Sequence, residues 1–294
     1  MSSWFCFLKG WFLPPIVGVA DNTDNRDAID FFDDDLVMLY ETSFSRIYRG
    51  KNKGVVHKHI FKPSLYYHEK RICEYLAYKS EYLVSLLGSD DNTRTLFFPQ
   101  AQYDLLTWYL RYNDDEKRFL SKEFLSRFFP PLVNGLEDLY RNGVEHYDIK
   151  AENILLFEDG RVQLTDFGLA QHGALHYFPS TGTLPYMAPE LTLPYTECYV
   201  RHSMDVFSVC ALAVYFIFPD LFVQRKRCMT KHEYDGLVQD ALFLFQNNHF
   251  PLSFFSPILQ GLKFDPVERI SLPLFLQKMK RCFVEEKKFF SWLE

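Results

Sequence analysis

None of the six cysteines, Cys6, Cys73, Cys198, Cys210, Cys228 and Cys282, lies in a C-x-x-C pair, so the chain offers neither a zinc-ligand set nor a disulfide framework. Scattered thiols of this kind are expected to stay reduced, in the cytoplasm or the nucleus. Excess positive charge is lacking too. With 38 acidic against 32 basic residues the formal charge is -6 and the pI near 5.9, which argues against general nucleic-acid binding, because neutralising phosphates takes clustered Lys and Arg. An acidic face would instead attract basic substrates. No uninterrupted apolar run is long enough for a transmembrane segment: the first 20 residues are mostly apolar but broken by Lys9, Gly10 and Pro14-Pro15. Ser2 stands where N-myristoylation needs glycine.

What is present is bulk. Aromatic residues make up 18% of the chain, with 30 Phe and 18 Tyr, and this predicts heavy core packing rather than a base-stacking surface. At 294 residues and 48% apolar, the chain has material for one large domain or for two lobes around a cleft. Gly18-Val19-Ala20 imitates a signal-peptidase site, but no basic residue precedes the first apolar run. The first 20 residues therefore stay open between a signal peptide, a membrane-surface or partner contact, and a tail packing on the body, the last being preferred. Seven aspartates between Asp21 and Asp35 read as a solvated, extended linker.

The chemistry concentrates in His146-Tyr147-Asp148-Ile149-Lys150-Ala151-Glu152-Asn153, followed by apolar Ile154-Leu155-Leu156. This pattern predicts a loop that projects a carboxylate, an ammonium and an amide from the end of a buried strand. Eighteen residues after Asp148 comes Asp166-Phe167-Gly168, preceded by the alternating pattern Val162-Gln163-Leu164-Thr165. Two acids on adjacent strand ends can divide the work, one taking a proton and the other holding a metal.

These residues resemble the protein-kinase catalytic loop H-R-D-x-K-x-x-N and the D-F-G that follows it. Pro185-Tyr186-Met187-Ala188-Pro189-Glu190 is similar to the A-P-E signature, Asp205-Val206-Phe207-Ser208 to the start of the central large-lobe helix, and Asp265-Pro266-Val267-Glu268-Arg269 to the segment whose arginine pairs with the A-P-E glutamate. The resemblance covers roughly residues 36 to 290. It implies an α+β, two-lobed fold: an N-terminal extension over 1–35, an N-lobe with a small antiparallel sheet over 36–98, and a mainly helical C-lobe over 99–294.

The resemblance assigns roles residue by residue. ATP would lie between the lobes, its adenine between Ile47 and Val56 above and Leu155 below. Lys58, in Val55-Val56-His57-Lys58, would pair with the α- and β-phosphates and take Glu69 as its partner. Glu69 is preferred over Glu74 because Ile72, Cys73 and Leu76 then follow at +3, +4 and +7 on one helical face. Asn153 and Asp166 would hold Mg2+, Asp148 would receive the hydroxyl proton, and Lys150 would offset charge on the γ-phosphate. Lys150 two residues after Asp148, and Thr183 after Gly182, follow the serine/threonine arrangement, so protein substrates are implied. Glu152 is a candidate for holding a substrate arginine, against simple solvent exposure.

Three departures qualify the resemblance. Tyr40, Thr42 and Ser45 stand at the glycine positions of the phosphate-covering lid, where glycine lets backbone N–H groups approach phosphate. Val56 replaces the alanine above adenine. Tyr147 replaces the arginine that binds a loop phosphate, and the position usually phosphorylated falls at Pro179, so activity is expected without loop phosphorylation. Ser180 and Thr181 remain candidate modification sites. Phe98, preceding hinge residues Pro99-Gln100-Ala101, would be the gatekeeper. The Phe-Pro step with Tyr103-Asp104-Leu105 is similar to herpesvirus kinases. His146, Phe167 and Cys73 are expected in a packed column anchored on Asp205, while His172, His176 and His202 are read as surface or loop residues. The competing readings are a pseudokinase acting as a binding module, favoured by the glycine-free lid, and a small-molecule kinase, disfavoured by the A-P-E and D-P-x-x-R elements.

Overall fold

A computed structural model describes residues 36–50, 54–112, 121, 123–173, 185–192, 200–222 and 230–285. The N-terminal extension, the Pro179–Thr183 stretch, His176, Cys6, Cys198 and Cys228 lie outside the described residues.

Five strands open the fold: β1 Val37–Glu41, β2 Ser45–Arg49, β3 Val55–Ile60, β4 Gly88–Asp90 and β5 Thr95–Pro99. They form an antiparallel sheet in the order β1-β2-β3-β5-β4. Alternation along β3 buries Val55 and His57 on one face and leaves Val56 and Lys58 half-buried on the other, as a period of two requires. The register sets Ile47 opposite Lys58 and Val56 between Arg49 and Phe98, so the expected roof residues lie on neighbouring strands, two positions out of register. Helix α1, Pro63–Leu76, follows β3. Its buried face is Tyr66, Glu69, Ile72, Cys73 and Leu76, the predicted stripe with a carboxylate in it.

The second lobe is mostly helical. After β6 Tyr103–Asp104 comes α2, Leu105–Leu110, whose N-cap Asp104 accepts from the Thr107 N–H at 2.8 Å. The apolar pattern from Phe124 to Leu139 does become helical, but Pro130-Pro131 divides it. Neither proline supplies an N–H, so the chain takes one π turn over Phe124–Phe128 and restarts as α3, Phe129–Arg141. Short strands β7 Val144–Glu145, β8 Ile154–Leu156, β9 Val162–Leu164 and β10 Gln171–His172 frame the catalytic-loop segment. Helices α4 Ser203–Ile217, α5 Lys231–Asn247, α6 Leu252–Gly261 and α7 Leu272–Glu285 complete the lobe.

Helix α4 is buried on nearly every side, as its near-continuous apolar sequence demands. Gly261 of α6 makes its close approach possible: a Cβ there would sit 2.2 Å from Cys210 Sγ. The aromatic content goes where composition predicted. Phe124 stacks on Phe216 at 4.5 Å between ring centroids and Phe245 on Phe255 at 5.6 Å, both inside the core. Cys73, Cys210 and Cys282 are all buried. Among the described residues no helix is long and apolar enough to cross a membrane.

Candidate active site

Lys58 and Glu69 meet because β3 and α1 are consecutive and each presents its polar residue on the face turned to the other. The Lys58 ammonium donates to both Glu69 oxygens, at 2.7 and 2.9 Å, and to Asp166 Oδ1 at 2.9 Å. A single cation thus joins α1 to the segment after β9. Burial works against the charge on Lys58, but Asp166 and Glu69 outweigh it and raise its affinity for the proton well above normal. Although the Asp166 side chain is partly exposed, desolvation opposes its ionisation, and the Lys58 charge overcomes this, holding that carboxyl far below the usual range. Glu69 is shifted upward, because its burial outweighs the pull of Lys58. Glu74, by contrast, lies on the outer face, 3.8 Å from Lys70.

The catalytic-loop residues converge on the same place. Lys150 Nζ donates to Asp148 Oδ2 at 2.6 Å. Asn153, at the end of a 3-10 turn over Ala151–Asn153, donates to the Asp148 carbonyl at 2.8 Å and to its Oδ2 at 3.2 Å. Burial alone would discharge Lys150, but Asp148 keeps it protonated, so its affinity for the proton rises. With its NH2 group spent on Asp148, Asn153 has its amide oxygen left to face a cation. The Asp166 side chain is 41% exposed and its Oδ2 has no partner among the described residues, so one carboxylate oxygen and one amide oxygen are each left without a protein donor there. That donor set suits a hard, oxygen-seeking cation such as Mg2+. Ile47, Val56 and Leu155 are all half-buried, as residues lining a cleft should be.

The loop is held from below by Asp205 at the start of α4. Its Oδ2 accepts from the His146 N–H at 2.7 Å and its Oδ1 from the Tyr147 N–H at 2.8 Å. Burial and the nearby Glu145 push the Asp205 carboxyl up to about 7, although those two N–H groups favour the anion. The His146 ring joins the two motifs. Nε2 lies 3.0 Å from the Thr165 carbonyl and Nδ1 3.3 Å from the Asp148 N–H, which together require a neutral ring protonated on Nε2. Burial lowers the His146 pKa and so maintains that state. Phe167 is buried 5.3 Å from this ring, and Cys73 is buried in α1. At Gly168 a Cβ would come within 3.2 Å of Asp166 Oδ1 and 3.3 Å of Glu69 Oε2, so those oxygens would have to give by a few tenths of an ångström.

His202 stands in the turn before α4, in keeping with a loop placement, but it is buried: it takes φ +61° and donates its backbone N–H to Glu145 at 2.9 Å. Glu152 is not simply solvated. Its Oε2 is buried without a hydrogen-bond partner among the described residues, and burial raises its pKa. His172 is exposed and lies against Tyr75, at 4.2 Å between ring centroids.

The structure also reveals a role for Thr42. Its hydroxyl accepts from the N–H groups of Phe44 at 3.1 Å and Ser45 at 2.9 Å, so the lid's turn amides are already taken. Thr-x-x-Ser in a turn was the available signal. A separate groove of about 800 Å3, lined in part by Tyr82, Asn134, Glu137 and Lys280, includes none of the site residues. The converging charges, not the size of a groove, locate the chemistry.

The description of the protein kinase domain family matches residues 43–279, and the chain belongs to that family. It is similar to CBL-interacting serine/threonine-protein kinase 5 of Arabidopsis thaliana, 29% identical over 54% of this chain and 35% of the relative. It is 43% identical to CBL-interacting protein kinase 16 of Oryza sativa subsp. japonica over 24% of this chain and 17% of that protein. Ribosomal protein S6 kinase alpha-1 of Homo sapiens is 39% identical over 37% of this chain and 15% of the relative. The matches span about a third or less of the length of these curated relatives.

Proposed function

We propose that the chain transfers the γ-phosphate of ATP to serine or threonine hydroxyls of protein substrates. The observation that carries this reading is the pairing of Lys58 with both Glu69 and Asp166, beside an Asp148 carboxylate held by Lys150 and Asn153. Adenine lies between Ile47, Val56 and Leu155, and Lys58 contacts the α- and β-phosphates. Asp166 and Asn153 would hold magnesium, which would supply positive charge to offset that of the phosphates. Asp148 orients the substrate hydroxyl and takes its proton as the oxygen bonds to the γ-phosphorus and the bond to ADP breaks. Lys150, kept charged by Asp148, faces the negative charge on the phosphoryl group in transfer. Positioning and electrostatics supply most of the rate.

Glu152 supports a preference for basic substrates, since a carboxylate oxygen lacking a partner among the described residues suits a guanidinium. Reduced thiols fit the cytoplasm or nucleus. A viral origin rests only on the Phe98-Pro99 step and Tyr103-Asp104-Leu105; the relatives named above are plant and animal proteins.

The test is transfer of labelled γ-phosphate from Mg-ATP to mixed protein substrates, beside Asp148→Asn and Lys58→Met. Label on serine or threonine that vanishes in both variants is expected. A second reading, a pseudokinase binding module, is favoured by the occupied lid amides and by Val56. Well-folded protein that transfers nothing yet melts higher with ATP would establish it.

A further inference from the structure

Asp148 follows a residue held in an unusual backbone conformation. Tyr147 takes φ +65°, in the left-handed region that a bulky side chain rarely occupies, and such a conformation persists only where its surroundings impose it. Asp205 holds its N–H, as described above. The second hold is at the tip of the side chain, which is 5% exposed: the phenol donates to Glu145 Oε2 at 3.1 Å. Glu145 is itself 2% exposed. Its carboxylate also accepts the His202 N–H at 2.9 Å and lies 3.5 Å from Arg201 Nε. Arg201 in turn donates to the Gly143 carbonyl at 3.0 Å.

A buried carboxylate is costly unless its oxygens are satisfied, and the partners named here come from the residue before Asp148 and from the entry to α4. We propose that Glu145 is a positioning residue for Asp148, acting through the Tyr147 hydroxyl, and that this internal carboxylate replaces the loop phosphate that orders the catalytic loop where arginine stands at that position. The charge logic is direct. An arginine before the catalytic aspartate requires an added anion, whereas a neutral phenol requires only an acceptor, which Glu145 provides permanently. The inference rests on the kinase reading of the site, with regulation as the added element.

The test uses the full chain as wild type, Tyr147→Phe, Glu145→Gln and the double variant, measuring kcat, KM for ATP, melting temperature and amide exchange over residues 144–150. Loss of one hydrogen bond to a charged group should lower kcat by about tenfold in Tyr147→Phe, with KM and melting temperature nearly unchanged. Because both residues act in one linkage, the double variant should be no worse than Glu145→Gln. Phosphatase treatment of the wild type should leave kcat intact. Wild-type kcat in Tyr147→Phe, additive losses in the double variant, or phosphatase-sensitive activity would each overturn the proposal. Amide exchange separates it from the kinase reading. Faster exchange at 146–148 in both variants is expected whether or not phosphate is transferred; unchanged exchange sinks the linkage, and a silent wild type with faster exchange in the variants sinks the kinase reading alone.

Discussion

Arg269 and Glu190, 79 residues apart, form a two-pronged ion pair sealed from water: Nη1 to Oε1 is 2.7 Å and Nη2 to Oε2 2.9 Å. Arg269 also donates to the Ser203 carbonyl at 2.9 Å, so one guanidinium ties the A-P-E segment to the start of α4. Removing either partner strands a charge in the core. Arg269→Met and Glu190→Leu should each cost about 3–5 kcal/mol, while the double variant should recover much of that loss. Urea denaturation of all three decides it; a double variant weaker than either single one would show that the pair itself stabilises.

Lys58→Met should reduce phosphate transfer by at least about a hundredfold, through loss of a preorganised charge at the phosphates. It also leaves Glu69 buried without its cation. The variant is therefore expected to melt lower than wild type, and adding Glu69→Gln should restore melting temperature without restoring activity. Thermal unfolding measured alongside transfer checks both halves, and activity returning with the second substitution would contradict the role given to Lys58.

Freeing the lid amides should tighten nucleotide binding. Thr42→Gly removes the hydroxyl that occupies the Phe44 and Ser45 N–H groups. A net hydrogen bond is worth about 0.5–1.5 kcal/mol, so Kd for ATP should fall by roughly two- to tenfold. Calorimetric titration measures this directly. Unchanged or weaker binding would mean that these amides do not reach the phosphates.

The catalytic loop should respond to pH in two opposing ways. Burial depresses the His146 pKa, so the unfolded chain binds that proton first, and the stability His146 contributes above its ordinary value of 6.5 is lost as pH falls below it. Asp205, pushed up to about 7, acts oppositely, since the folded chain takes its proton first and stability falls as pH rises toward 7. Comparing wild type with His146→Phe cancels the Asp205 contribution. The stability difference between them should shrink from pH 7 to pH 5 in urea titrations, and a difference that grows would rule out a neutral buried ring.

Much of the site could be read along the chain because its spacing is local. Asp148, Lys150 and Asn153 fall within six residues, and one short loop suffices to bring them together. Glu69 was singled out from Glu74 by helical period alone, and α1 buries that face. The restart at Pro130-Pro131 follows from the chemistry of proline, although its form, a single π turn, does not.

What the chain by itself determined is therefore the set of candidate site residues, which stand at short intervals, and, through the motifs that resemble the kinase family, the expectation of two lobes. Only the tertiary structure decided which groups compensate one another. Glu145 lies between Val144 and His146 with no pattern to mark it, and its partner His202 is 57 residues away. Thr42 captures the amides that missing glycines had only suggested were less available, and the Glu152 oxygen is buried rather than solvated. Each of these turns on desolvation and on directional hydrogen bonds to residues brought near by folding, and sequence spacing does not encode such distances.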